Sequence, residues 1–260
     1  MCNTCGCNLV SGARGYAYKP VADGGSTVTV LKNLLQRNDD QAAHNRAHFD
    51  AHGVLAINLM SSPGSGKTAL LEATITALAG ELNIAVVEGD LETENDAERI
   101  RARGVTAIQI TTGTACHLDA HMLHEALHAL PIAGLDLVFI ENVGNLVCPA
   151  SFDLGQHCNV VLLSVTEGDD KPAKYPVMFR VADVVLLSKM DLLPALDDFE
   201  PARAEAHLRN LASSAPMLPL SARRGMGMEQ WLDWLRAQLA VHKRRSIIRP
   251  QHSPGVADGK

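Results

Sequence analysis

The chain has 260 residues; 23 Lys and Arg against 29 Asp and Glu give a formal charge of −6, with 47% of residues apolar and 20% charged. That balance is ordinary for a folded protein with one substantial core, and it excludes the basic surface that unspecific nucleic-acid binding needs. No apolar run approaches the roughly 20 residues of a membrane span, and no basic-then-apolar leader opens the chain, so a soluble, cytoplasmic protein without membrane or nucleic-acid partners is expected.

Residues 1–30 carry Cys2, Cys5 and Cys7 among Gly6, Gly12, Gly15, Gly24 and Gly25 with few large apolar groups, the pattern of a flexible segment. Residues 31–53 read as a helical lead-in, with Leu31, Leu34 and Leu35 at turn spacing. Over 54–241, apolar runs alternate with helical patterns. Strands are predicted at 54–60, 84–89, 105–110, 135–141, 159–165 and 183–189, and helices at 67–80, 94–103, 117–130, 201–212 and 228–241. Near-continuous apolarity suits parallel strands covered on both faces. The alternation predicts an α/β, doubly wound, mostly parallel sheet. Residues 242–260 are polar and contain Pro and Gly, as a disordered tail does.

The segment SSPGSGKT (61–68) lies directly after the first strand and before a helix, the context a phosphate loop needs. Backbone N–H groups of Gly64, Ser65, Gly66 and Lys67, with Ala69 next on the helix, can converge on phosphate oxygens at a helix N-terminus. Lys67 would reach the β/γ-phosphates and Thr68 would ligate Mg²⁺. Ser61 occupies the position where the strict motif has glycine. LLSKMD (186–191) resembles the N/T-K-x-D guanine signature: Asp191 would accept from guanine N1–H and its exocyclic amine, and Lys189 would pack along the base. Adenine offers no such donor pair, so a carboxylate there selects GTP over ATP. LSARRG (220–225) resembles the loop whose backbone N–H groups, at Ser221 and Ala222, contact guanine O6. ENVGN (141–145) resembles a D-x-x-G switch with Glu141 in place of Asp and Gly144 kept. Glu141 could hold Mg²⁺ and Gly144 could sense the γ-phosphate. Asp90, ending the second strand, is placed to contact Mg²⁺ or orient water. Together these predict phosphoryl transfer with Lys67, Asp90 and Glu141 as its working groups; no arginine finger is evident, so turnover should be slow.

Cys2, Cys5 and Cys7, with the α-amine freed on loss of Met1, offer four donors suited to square-planar Ni²⁺, with tetrahedral Zn²⁺ as the competitor. Cys116, His117 and Cys148 form a second candidate set for nickel or zinc; three ligands leave a metal short of donors, which implies sharing across a dimer. His44, His48 and His52 fall at i, i+4 and i+8, and His117, His121, His124 and His128 lie near one face of a later helix. Cys158, just before a strand, reads as a small core residue.

Over nearly its whole length the chain resembles the hydrogenase nickel-insertion accessory GTPases, the HypB family. The segments that carry the resemblance are MCNTCGC, NLMSSPGSGKTALLE, VVEGDLETENDAERI, CHLDAHM, FIENVGNLVCPASFDLG, DDKPAKYP and SKMDLL. The resemblance implies a SIMIBI-type P-loop G domain that forms a GTP-dependent homodimer and binds metal at Cys116, His117 and Cys148. It also implies nickel at the N-terminal cysteines, Ser61 as the family's own loop residue, and delivery of nickel to a [NiFe] hydrogenase precursor with maturation partner proteins. Lys171 and Lys174, in DDKPAKYP, are candidate interface contacts. A long polyhistidine stretch is absent, which argues against bulk nickel storage. Two other readings stand beside this one. A urease-accessory GTPase would carry Cys-Pro-x-His, whereas Pro149 follows Cys148 but position 151 is Ser. A nickel or zinc buffer would use nucleotide only to gate binding.

Overall fold

A computed structural model describes residues 26–90 and 95–248, with side chains over 35–90 and 95–245. The predicted nickel ligands Cys2, Cys5 and Cys7 lie outside the described residues, as do positions 249–260. In chain order the elements are α1 (Ser26–His52), β1 (Leu55–Ser61), α2 (Lys67–Ala77), β2 (Ile84–Asp90), α3 (Asn95–Arg101), β3 (Thr106–Thr111), α4 (Ala120–Ala129) and β4 (Leu137–Glu141). They continue with β5 (Cys158–Ser164), α5 (Lys171–Lys174), α6 (Pro176–Arg180), β6 (Val184–Ser188), α7 (Pro201–Asn210), β7 (Met217–Pro219) and α8 (Met228–Ile248).

Among the described residues the seven strands form one sheet, ordered β3-β2-β4-β1-β5-β6-β7, and every pairing is parallel. Strand alternation sends Leu55, Ile57 and Leu59 to one face, against Leu70 and Leu71 of α2 and Trp231 and Leu235 of α8. Val54 and Ala56 face the other way, with Phe49 of α1 and Leu123 and Leu127 of α4. Both faces are therefore covered, which is why the strands are apolar throughout. The sheet grows outward from β1 in both directions, so the loop after β1 opens at the point where strand order reverses, the usual ligand crevice of such sheets.

Several boundaries differ from those read in the sequence. Helix α1 begins at Ser26, so the division at residue 30 falls inside it, and α8 continues to Ile248, seven residues past 241. Helix α4 begins at Ala120 because the Asp119 carboxylate accepts from Met122 N–H at 2.8 Å and caps it. His117 is thereby left in the loop before the helix. The short helices α5 and α6 were not anticipated; Pro172 and Pro176 start each one where a missing N–H costs nothing.

Helix α1 is part of the domain's architecture. Asn45, fully buried, donates to the carbonyls of Ala120 (2.8 Å) and Leu154 (3.1 Å). Asn38 donates to the Asp153 carbonyl and accepts from Ala120 N–H, and Arg46 makes a fork to both Asp153 oxygens. Gly155 (φ +93°) passes so close that a Cβ would stand 2.5 Å from the Ala42 carbonyl. The helix thus fixes the start of α4 and the loop at 153–157 relative to one another.

At the far end of that loop, His157 Nδ1 accepts from Ala56 N–H at 2.9 Å, so its proton sits on Nε2, which faces Asp50 at 3.2 Å. Burial, reinforced by the neighbouring His242, pushes His157 down to about 4 from 6.5, and Asp50 opposes this only in part. The folded state therefore binds fewer protons than the unfolded chain between these two values, so this contribution is complete above pH 6.5 and lost as pH falls through 4. Urea unfolding should show wild type losing on the order of 2–3 kcal/mol more than His157→Gln between pH 7 and pH 4. Parallel losses in the two proteins would show that another group governs the acid limb.

Candidate nucleotide and metal site

The segment between β1 and α2 has the conformation a phosphate cradle requires. Gly64 (φ +74°) and Gly66 (φ +100°) both adopt left-handed backbone with open space at their Cβ positions, so glycine is demanded by conformation and not by crowding. Lys67 Nζ is buried and donates to Ser61 Oγ at 3.1 Å. Ser61 thus serves the loop through its hydroxyl where the strict motif has glycine. The Ser65 hydroxyl lies 2.7 Å from both the Ser62 carbonyl and Glu167 Oε1. Ser188, the first residue of SKMD, donates to the Ser65 carbonyl at 2.8 Å and ties that segment to the phosphate loop.

The SKMD segment turns at Lys189, which holds a left-handed φ of 58°. Asp191 follows in a short 3₁₀ segment, Met190–Ala195. Met190 N–H donates to the Leu220 carbonyl, joining SKMD to LSARRG, where Ser221 is buried and Ala222 shares a cleft with Ala69. SKMD and LSARRG are therefore brought to one edge of the phosphate loop.

Glu141 ends β4 directly beside the cradle, and Thr68 donates to its Oε1 at 3.0 Å. Register pairs Glu141 with Glu88 of β2, and these two, with Asp96 of α3, bring carboxylate oxygens within 4.8 Å of one another. Desolvation raises Glu88 to about 8, helped by the Glu141 charge, and raises Glu141 to about 7 against the pull of Lys67. Glu88 Oε2 and Glu141 Oε2 are buried oxygens without a hydrogen-bond partner. Unsatisfied carboxylate oxygens at high cost, arranged in a cluster, fit a hard divalent cation such as Mg²⁺. Asp90, predicted from sequence for this role, ends the same strand two residues beyond Glu88 and is not one of the three clustered carboxylates. Sequence reasoning missed Glu88 and Asp96. The i, i+2 spacing of Glu88 and Asp90 was the available signal.

Gly144 packs against the phosphate loop so tightly that a Cβ would meet Pro63 Cα at 2.8 Å and N at 2.9 Å. The same segment reaches in the opposite direction. Asn142 Oδ1 accepts from Leu118 N–H at 3.1 Å, and Asn145 Nδ2 donates to the Cys116 carbonyl at 3.2 Å. Cys148 follows, with its Sγ 3.2 Å from Cys116 Sγ, and Cys116 Sγ lies 3.8 Å from His117 Nδ1. All three predicted ligands thus come together, and their donor atoms lie within 4.8 Å of one another. The buried His117 ring is held by Phe152, stacked at 4.0 Å. Two thiols and one imidazole match the soft-to-borderline donor set of Zn²⁺ or Ni²⁺ and leave further coordination positions open. Cys158 is buried in β5 with its thiol pushed up to about 12, which makes it an inert core residue. Lys174 pairs with Asp170 at 2.6 Å and Lys171 lies over the Tyr175 ring.

The CobW/HypB/UreG nucleotide-binding domain matches residues 55–219. The hydrogenase maturation factor HypB of Azotobacter vinelandii is 49% identical over 231 residues, which are 89% of this chain and 76% of that protein. The hydrogenase/urease maturation factor HypB of Helicobacter pylori is 41% identical, across 87% of this chain and 92% of its own length. A crystal structure of Helicobacter pylori HypB in complex with nickel superposes with a TM-score of 0.74 at 41% identity, covering 84% of this chain and 99% of that one. The HypB structure from Archaeoglobus fulgidus gives 0.74 at 40% identity, with 79% and 100% covered. With its phosphate loop, sheet order and Cys-His-Cys centre in place, the chain belongs to the HypB family of hydrogenase maturation factors.

Proposed function

We propose that this protein is a slow GTPase that carries nickel to a [NiFe] hydrogenase precursor, and that GTP hydrolysis changes how it holds the metal. The observation that carries this reading is the continuity of residues 141–148: Glu141 and Gly144 touch the phosphate loop, Asn142 and Asn145 hold the backbone at Leu118 and Cys116, and Cys148 meets Cys116. A shift of this segment on loss of the γ-phosphate must move a ligand or its support. The nickel-bound state of the Helicobacter pylori relative supports Ni²⁺ as cargo. Zn²⁺ is the alternative occupant at Cys116, His117 and Cys148, and Cys2, Cys5 and Cys7 would hold a separate nickel ion.

In hydrolysis the phosphate-loop backbone and Lys67 bind and orient the phosphates. Thr68 and Glu141, with Asp90, Glu88 and Asp96 at hand, would hold Mg²⁺, which supplies charge neutralisation across the β- and γ-phosphates. Val147, 59% exposed beside Cys148, and Val177, 51% exposed on α6, are apolar groups suited to burial in a GTP-dependent homodimer that completes the metal's coordination. Lys171 and Lys174 lie on the neighbouring α5 and would contribute to that interface. Maturation partners and the hydrogenase precursor would meet the protein in the cytoplasm.

Nucleotide choice tests the enzyme half. Wild type should bind GTP well ahead of ATP, and Asp191→Asn should move preference to xanthine nucleotide, whose C2 carbonyl accepts from the new amide. Lys67→Ala should abolish hydrolysis. Equal wild-type affinity for ATP and GTP would refute the assignment.

Gly144→Ala should weaken binding of a GTP analogue by about tenfold or more, because overpacking against Pro63 backbone costs roughly 1–3 kcal/mol. Thermal unfolding of the nucleotide-free protein checks that the fold survives.

The link between the two halves is tested by Ni²⁺ affinity measured with GDP and with a non-hydrolysable GTP analogue. Wild type should differ between the two states by about 5- to 150-fold, the usual size of such a coupling. Asn145→Ala, which keeps every metal ligand, should shrink that ratio. Identical affinities in wild type would leave a nickel buffer that happens to bind nucleotide.

A further inference from the structure

Helices α1 and α4 pack side by side and collect histidines from both onto one stretch of surface. His124 Nε2 and His128 Nε2, one turn apart on α4, stand 3.2 Å from each other. His44 of α1 meets His124 with ring centres 5.1 Å apart, and His48 meets His52 at 4.7 Å. His48 lies within electrostatic reach of His44, His52, His124 and His128, so the five rings form one patch. His117, grouped with this face by its sequence spacing, is not on it, because α4 starts only at Ala120.

We propose that His124 and His128, flanked by His44 and the His48–His52 pair, form a surface site for a borderline divalent transition ion of the Ni²⁺, Cu²⁺ or Zn²⁺ class. It is separate from the Cys116–His117–Cys148 centre and independent of the function argued for that centre. Three observations carry it. First, two imidazole nitrogens each about 2.0–2.1 Å from one ion lie about 2.9–3.4 Å apart at square or tetrahedral angles. The 3.2 Å separation already has this bite. Second, the rings present lone pairs. His52 Nδ1 faces the His48 carbonyl at 2.9 Å and must donate to it, which leaves Nε2 as an acceptor. Burial, helped by the neighbouring imidazoles, lowers both His48 and His124 from the ordinary value, which favours neutral rings at pH 7. In the His124–His128 contact one Nε2 donates and the other accepts. On binding, the donor ring's proton moves to its own Nδ1 and both Nε2 lone pairs turn to the ion, with no net proton released. Third, the neighbouring imidazoles add to burial in lowering His48 and His124, and only Glu125 raises His124. A divalent ion resolves that crowding. His124 and His128 follow the first residue of α4 by four and eight positions, about 6 and 12 Å along the axis, so the patch leads away from the thiolate centre, which lies in the loop before that helix.

The test is titration of the full-length protein with Ni²⁺, followed by calorimetry and by thiolate-to-nickel charge-transfer absorption. The double variant His124→Gln/His128→Gln should lose one class of sites from the isotherm while the charge-transfer bands of the cysteine sites stay unchanged. His124→Gln alone should weaken that class by about tenfold or more, since loss of a ligand costs at least as much as loss of a ligand's support. An isotherm with the same number of sites and the same affinities in the double variant overturns the proposal. Should that variant fold poorly, wild type decides: once the thiolate sites are filled, further Ni²⁺ should broaden the imidazole NMR signals of His124 and His128. Signals that stay sharp while other groups broaden overturn it equally.

Discussion

Residues 141–148 have two neighbours and must satisfy both. On one side Thr68 bonds Glu141, and Gly144 lies on Pro63 with no space for a methyl group; on the other, Asn142 and Asn145 hold the backbone around Cys116–His117–Leu118. Packed interiors deform in discrete steps and not gradually, so a segment clamped at both ends transmits displacement. The amides matter because they bond main-chain atoms, whose positions follow the fold. Asn142 also reaches Asn58 of β1 at 3.2 Å, which anchors the segment to the strand at the centre of the sheet. The phosphate loop and the Cys116–His117–Cys148 cluster thus share one piece of backbone.

Electrostatics around the cradle has a similar economy. Lys67 lowers the cost of ionising both Glu88 and Glu141, while desolvation, joined by the Glu141 charge at Glu88 and the Asp96 charge at Glu141, raises it by more. The two carboxyls are consequently held in an environment that penalises their charge until cations arrive. Glu167, accepting from Ser65 on the opposite side of the loop, adds a negative group that the phosphates must also meet. Charge balance there belongs to the nucleotide complex as a whole.

Much of this was readable before any coordinates. The phosphate loop declares itself because left-handed backbone at two positions demands glycine, and because strand and helix flank it at the right spacing. SKMD and LSARRG were legible by their order along the chain, and the Cys116–His117–Cys148 set by donor chemistry. What stayed hidden depended on tertiary register. Glu88 becomes a partner of Glu141 only when β2 is set against β4, and Asp96 only when α3 turns back over their ends. Asn142 and Asn145 carry no charge and no spacing rule, so nothing local marks them as links. The late start of α4 was legible in principle, since Asp119 three residues before Met122 is an ordinary N-cap, yet helical periodicity from His117 onward masked it.

Helix α1 lies ahead of the residues that match the nucleotide-binding domain. Its amides nonetheless hold the Ala120 backbone, four residues from Cys116, and the Asp153 and Leu154 carbonyls, just past Cys148. The boundary drawn by sequence similarity and the boundary drawn by mechanical support therefore fall in different places. A protein trimmed to residues 55–219 would keep Cys116, His117 and Cys148 and lose the brace that spaces them. Weak metal binding by such a fragment would measure slack in its scaffold, and would say little about the ligands themselves.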